Sequence, residues 1–77
     1  MLIRWRSAER KYTYYYGDTD TRFSVQIGDA TGGGFAWLVF HTDFKGCFQG
    51  GVAETVEAAK AAAQEYLDTY ANAKPSP

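Results

Sequence analysis

Apolar residues recur along this chain in two rhythms, a period of two up to about residue 53 and a period near 3.6 beyond it. The longest apolar run, Phe35-Ala36-Trp37-Leu38-Val39-Phe40-His41, follows the triple glycine Gly32-Gly33-Gly34 and reads as a central strand entered from a turn. Side chains alternate along a strand, so Phe35, Trp37 and Val39 point one way and Ala36, Leu38 and Phe40 the other. Both faces are apolar, and each needs a cover.

The neighbouring segments are half-polar. Leu2 to Ser7 sets Ile3 and Trp5 against Arg4 and Arg6. Tyr12 to Tyr16 has high β-propensity, with Tyr12, Tyr14 and Tyr16 expected on one face and Thr13 and Tyr15 on the other, as a second strand or a continuation of the first across a bulge. Gly17-Asp18-Thr19-Asp20 has the composition of a tight turn. Arg22 to Ile27 gives the cleanest alternation, Phe23, Val25 and Ile27 against Arg22, Ser24 and Gln26, which specifies its register well. Cys47 to Val52 reads as a short edge strand at most.

Thr55 then offers an N-cap hydroxyl, with Glu57 suited to the positive end of a helix dipole. The spacing predicts a helix from Val56 to Ala73, about 27 Å long at the usual rise per residue. Its buried stripe would comprise Val56, Ala59, Ala63, Tyr66, Leu67 and Tyr70. Together these segments predict an α+β fold, an antiparallel meander of three or four strands with one C-terminal helix packed on one face. Residues 1–74 form the expected single domain and 75–77 a disordered tail.

Size and composition narrow the picture. A chain of 77 residues has room for one core and buries little more than ~60% of its unfolded surface. Hydrophobic content of 45% with 17% aromatics favours a cooperative fold over disorder. A formal net charge of -1 excludes a globally basic field, although the sheet end (Arg4, Arg6, Arg10, Lys11, Arg22) is mildly basic and the remainder acidic. The single cysteine, Cys47, permits no internal disulfide, so a reducing cytoplasm is the expected compartment. No stretch approaches the ~20 apolar residues that span a bilayer, and none reads as an export signal, so no membrane partner is expected.

Catalytic parts are scarce. Gly32-Gly33-Gly34 lacks the Lys-Ser/Thr of a phosphate loop and precedes a strand, so it reads as a hairpin loop. His41 and Asp43 share a strand face but supply too few metal ligands, and His41 is better read as a strand-end residue at the sheet rim. Cys47 has no assured base and reads as a small buried or half-buried hydrophobe. One histidine cannot assemble a nucleophilic triad, so neither enzymatic activity nor a cofactor or metal is expected.

The surplus lies in aromatic and basic residues of the first strands, more than one helix can cover. Exposed Tyr, Trp and Arg are enriched at binding hot spots because they join apolar area to polar tips. Arg4, Arg6, Tyr12, Tyr14, Tyr16 and Arg22 are therefore the expected partner-binding residues. The same set could stack single-stranded bases, but the balance of charge disfavours nucleic acid relative to a protein partner or a homodimer. The tyrosines could also simply thicken the sheet through cross-strand pairs.

The segment Gly50-Gly51-Val52-Ala53-Glu54-Thr55-Val56-Glu57-Ala58-Ala59-Lys60-Ala61-Ala62-Ala63, after a Trp37-containing strand, resembles the C-terminal half of many small phage and prophage proteins built as a sheet followed by a helix. The resemblance covers roughly the last half of the chain and transfers no functional residue. It implies a small accessory protein acting by stoichiometric binding to a host protein complex in the host cytoplasm, a class that includes anti-CRISPR inhibitors of bacterial defence.

Overall fold

The computed structural model describes residues 2–43 and 45–73, the side chains of residues 71–73 excepted; the expected tail at 75–77 lies outside them. Five strands precede one helix: β1 (Arg4–Ser7), β2 (Thr13–Asp18), β3 (Phe23–Asp29), β4 (Phe35–His41), β5 (Cys47–Ala53) and α1 (Val56–Ala73). The strands form one antiparallel sheet in chain order, β1-β2-β3-β4-β5. The fold is therefore α+β with a C-terminal helix on an antiparallel meander. The sheet has five strands, not three or four, because β1 and β2 are separate paired strands and residues 47–53 pair with β4 from Phe35 to Phe40.

The helix starts as its sequence requires. Ala58 N donates to Thr55 Oγ1 (3.0 Å) and Ala59 N to Thr55 O (3.0 Å), so hydroxyl and carbonyl of one residue satisfy two first-turn amides. Ala59, Ala63 and Leu67 are fully buried against Phe23, Val25, Ile27 and Val39. Alanine at two of the three contact turns lets α1 lie close to the sheet. At the far end of the core, Phe23, His41, Phe48 and Tyr70 meet ring to ring, with Phe23–His41 centroids 4.7 Å apart and Phe23–Tyr70 5.2 Å. Val56 and Tyr66 are half-buried, and Tyr70 is at the exposed edge of the stripe.

Two departures from the expected pattern have a clear cause. Gly17 and Asp18 belong to β2 and not to a turn, which falls instead at Thr19 to Arg22. There Thr21 N donates to Thr19 Oγ1 (3.2 Å) and Thr19 Oγ1 to Phe23 O (2.8 Å), so threonine side chains close the bend. Gly17 is needed for space, because a Cβ there would stand 2.5 Å from Ile3 Cγ2 and 2.9 Å from Trp5 Cζ3. The second departure is a bulge in β2. Thr13 pairs with Gly28 and Tyr15 with Ile27, leaving Tyr14 as the extra residue. The simple alternation of the tyrosines is thereby broken. Tyr15 packs on the core, Tyr14 lies edge-on to the core-packed Phe35 (5.7 Å), and Tyr16 alone of the three turns to the other face with Arg6.

Candidate functional site: the open sheet face

Phe35, Trp37 and Val39 of β4 pack towards α1, which places Ala36, Leu38 and Phe40 on the face the helix leaves open. Strand register continues each of these residues into a row across the sheet. The middle row runs Arg6, Tyr16, Gln26, Leu38 and Gly50, each the direct cross-strand partner of the next. The row beside it runs Arg4, Asp18, Ser24, Phe40 and Cys47, and the third holds Gly28, Ala36 and Val52. The face is thus graded, charged and aromatic over β1 and β2 and apolar over β4 and β5.

Over the apolar half, the β3–β4 loop stands beside the sheet and walls a groove of about 520 Å³. Its floor is Ala36, Leu38, Gly50, Gly51 and Val52, and its wall is Asp29 to Gly33. The loop is held by Ala30 N donating to Gly34 O and Gly33 N to Ala30 O (3.2 Å each), with Gly33 and Gly34 at φ of 101° and 79°. It is a hairpin loop. Gly50 leaves room in the floor, where a Cβ would stand 3.1 Å from Leu38 Cδ2, and Val52 stands 66% exposed at the sheet's edge.

Over the charged half, each arginine is matched by an aspartate. Arg4 Nη1 donates to Asp20 Oδ1 (2.5 Å), and Arg6 Nε lies 3.4 Å from Asp18 Oδ2. The Arg6 guanidinium also sits over the Tyr16 ring, 5.3 Å from its centroid. The Asp20 hydrogen bond, ahead of the plain attraction of that carboxylate, raises the Arg4 pKa further above its ordinary value. Both pairs are solvent-exposed, so they orient side chains more than they stabilise the fold.

Of the six residues expected from sequence, Arg4, Arg6 and Tyr16 come together on this face. The other three do not join them. Tyr12 precedes β2, 63% exposed and beneath Lys11 Nζ at 5.5 Å. Tyr14 Oη donates to Asp29 Oδ1 (2.6 Å), a bond that raises the Tyr14 pKa, and the ring is held beside Phe35 by the bulge. Arg22 lies in the β2–β3 turn and is paired with Asp43 at the β4–β5 end. Gln26, Gly50 and Val52, which sequence reasoning did not single out, belong to the face through register alone. The alternation of β3 was legible and pointed to Gln26, whereas the glycine of β5 carried no signal.

The remaining candidates have structural settings. His41 is half-buried between Phe23 and Phe48, and its Nδ1 accepts from Asp43 N (3.1 Å). Among the described residues no three His, Cys, Asp or Glu side chains converge as metal ligands. Cys47 is exposed, contrary to the expectation of burial, because it falls on the open face of an edge strand; its Sγ contacts Gln49 O at 3.0 Å. Among the described residues no helix is long and apolar enough to cross a membrane. Comparison with protein-family models, with curated proteins and with solved structures found no match. The likeness to small phage accessory proteins therefore remains an expectation of the sequence alone.

Proposed function

We propose that the protein is a non-enzymatic binding module that docks a protein partner on its open sheet face. The observation that carries this reading is the uncovered row Arg6-Tyr16-Gln26-Leu38-Gly50. It sets an apolar half over β4 and β5 beside an aromatic, arginine-bearing half over β1 and β2, and aromatic residues and arginine are the types that interfaces favour. A stoichiometric inhibitor of a host complex, the role that the phage resemblance implies, is one form such a module takes. Nucleic acid fits the face less well. Strand-tracking sites need cations free to meet phosphates, and here Arg4, Arg6 and Arg22 are each engaged by an aspartate.

The test compares wild type with Leu38→Asp and Tyr16→Ala, both checked for native circular dichroism, in affinity capture from a lysate of the source cells or their host. A specific partner retained by wild type and lost by both variants supports the reading. Capture unchanged in both would overturn it. Binding of single-stranded oligonucleotides at low salt that disappears as salt rises would favour the nucleic-acid alternative instead.

A further inference from the structure

The two edges of the sheet are built differently. β1 has four residues, two of them the arginines Arg4 and Arg6, and short charged strands are how sheets discourage pairing with other chains. β5 has seven residues, Cys47-Phe48-Gln49-Gly50-Gly51-Val52-Ala53, with neither charge nor proline. No strand among the described residues pairs with its outer side.

The register shows which backbone groups that edge offers. Thr42 N donates to Arg22 O just past the β3–β4 pairing, so alternation along the ladder assigns the even residues of β4 to β3 and the odd ones to β5. Across the pairs Phe35–Ala53, Trp37–Gly51 and Val39–Gln49, the odd residues of β5 face inward. The N–H and C=O of Gly50 and Val52 therefore point outward.

We propose that β5 is the docking edge for a second copy of this chain, the two strands pairing antiparallel about a twofold axis near Gly50 and Gly51 to make one continuous sheet. Charge singles out this occupant. A twofold pairing sets a strand against itself, so a charged edge would meet its own charge, and the neutral β5 avoids that repulsion. Just outside the strand the ends are opposite in sign. Lys45 precedes it while Glu54 and Glu57 follow, so an antiparallel mate brings Lys45 of each copy beside the acidic end of the other. Pairing would cover Val52 and carry the apolar half of the open face across the junction. This inference does not depend on the open face being the partner surface.

Sedimentation from micromolar to hundreds of micromolar protein tests the proposal, with amide exchange at Gly50 and Val52 as a second readout. The expected result is a concentration-dependent species of twice the chain mass, with exchange at those two amides slowing as it forms. Val52→Pro removes an outward N–H, which an edge strand tolerates, and Val52→Lys puts a charge on the neutral edge, the device by which sheets discourage edge pairing. Both should remain monomeric with native circular dichroism. A wild type that stays monomeric throughout would overturn the proposal, as would a dimer that persists in both variants. Loss of partner capture by Leu38→Asp in a protein that still dimerises would separate the two readings.

Discussion

Gly17 gives the sharpest test of how the basic part of the face is held. The glycine lies in β2 beneath Ile3 and Trp5, paired with Trp5 on one side and Val25 on the other. In an open strand position, Gly17→Ala would stabilise by about 0.4–1 kcal/mol, because it removes freedom from the unfolded chain. Here the added methyl would stand 2.5 Å from Ile3 Cγ2 and 2.9 Å from the Trp5 ring, well inside contact distance. Overpacking of this kind costs about 1–3 kcal/mol. The clash therefore outweighs the entropic gain, and the net expectation is a loss of about 1–2 kcal/mol. Ile3 is 4% exposed and its N donates to Gln64 Oε1 on α1, so the chain cannot move aside without disturbing that tie. Urea unfolding followed by tryptophan fluorescence measures the change, and Gly32→Ala, with nothing within 4 Å of its new methyl, is the control. A Gly17→Ala protein as stable as wild type or more so would refute the packing role.

Two further outcomes are expected. Thr55→Ala removes the acceptor for Ala58 N and should cost about 1 kcal/mol in denaturant unfolding, with Thr55→Ser restoring most of it; equal stability of the alanine variant would show that the cap contributes nothing. Tyr14, its pKa raised chiefly by the hydrogen bond to Asp29, should ionise above the ordinary tyrosine range. Because the folded value is the higher one, the contribution of that bond is present at neutral pH and is lost as pH climbs through the alkaline titration. Tyrosinate absorbance should therefore lose a component above the ordinary tyrosine range in Tyr14→Phe, and a profile unchanged there would contradict the assignment.

The parts legible in the sequence were those with one strong local period. Phe35 to His41 and Val56 to Ala73 stand where their patterns place them, and Phe23, Val25 and Ile27 form the buried face of β3. What escaped depended on neighbours far along the chain. A bulge shifts the parity of Tyr14 without any composition signal, and Gly17 looks like a turn residue until Ile3 and Trp5 are laid across it. Cys47 to Val52 reads in the sequence as a short edge strand, and β5 does stand at the sheet's edge, but Gly50 and Gly51 have low β-propensity and do not announce its seven-residue length. The tertiary reason is specific: Trp37 lies over Gly51, where a Cβ would be 2.8 Å from the indole. Of the six residues expected to meet a partner, Arg4, Arg6 and Tyr16 share one face because they lie outside the bulge's reach, whereas Tyr12 and Tyr14 do not and Arg22 stands in a turn.

Width explains why a face and an edge stay open at all. Strands stand about 4.8 Å apart, so five of them span roughly 20 Å, while one helix with its side chains is about 10 Å across. α1 accordingly packs against β3, β4 and β5. The β1–β2 wing is roofed by side chains instead. Lys60 reaches from the helix to place its ammonium 3.7 Å from the Tyr15 ring centroid and 5.6 Å from that of Trp5, closing the gap with a cation over two rings. The two halves of the open face therefore rest on different supports. Leu38 and Phe40 stand on a strand whose other side packs Phe35, Trp37 and Val39 against the core, whereas Arg4 and Arg6 stand on a four-residue edge strand held by Ile3, Trp5, one lysine and the Ile3 N–Gln64 hydrogen bond. Few buried contacts mean low local stability, so the arginine-bearing half of the face should open more readily than the apolar half.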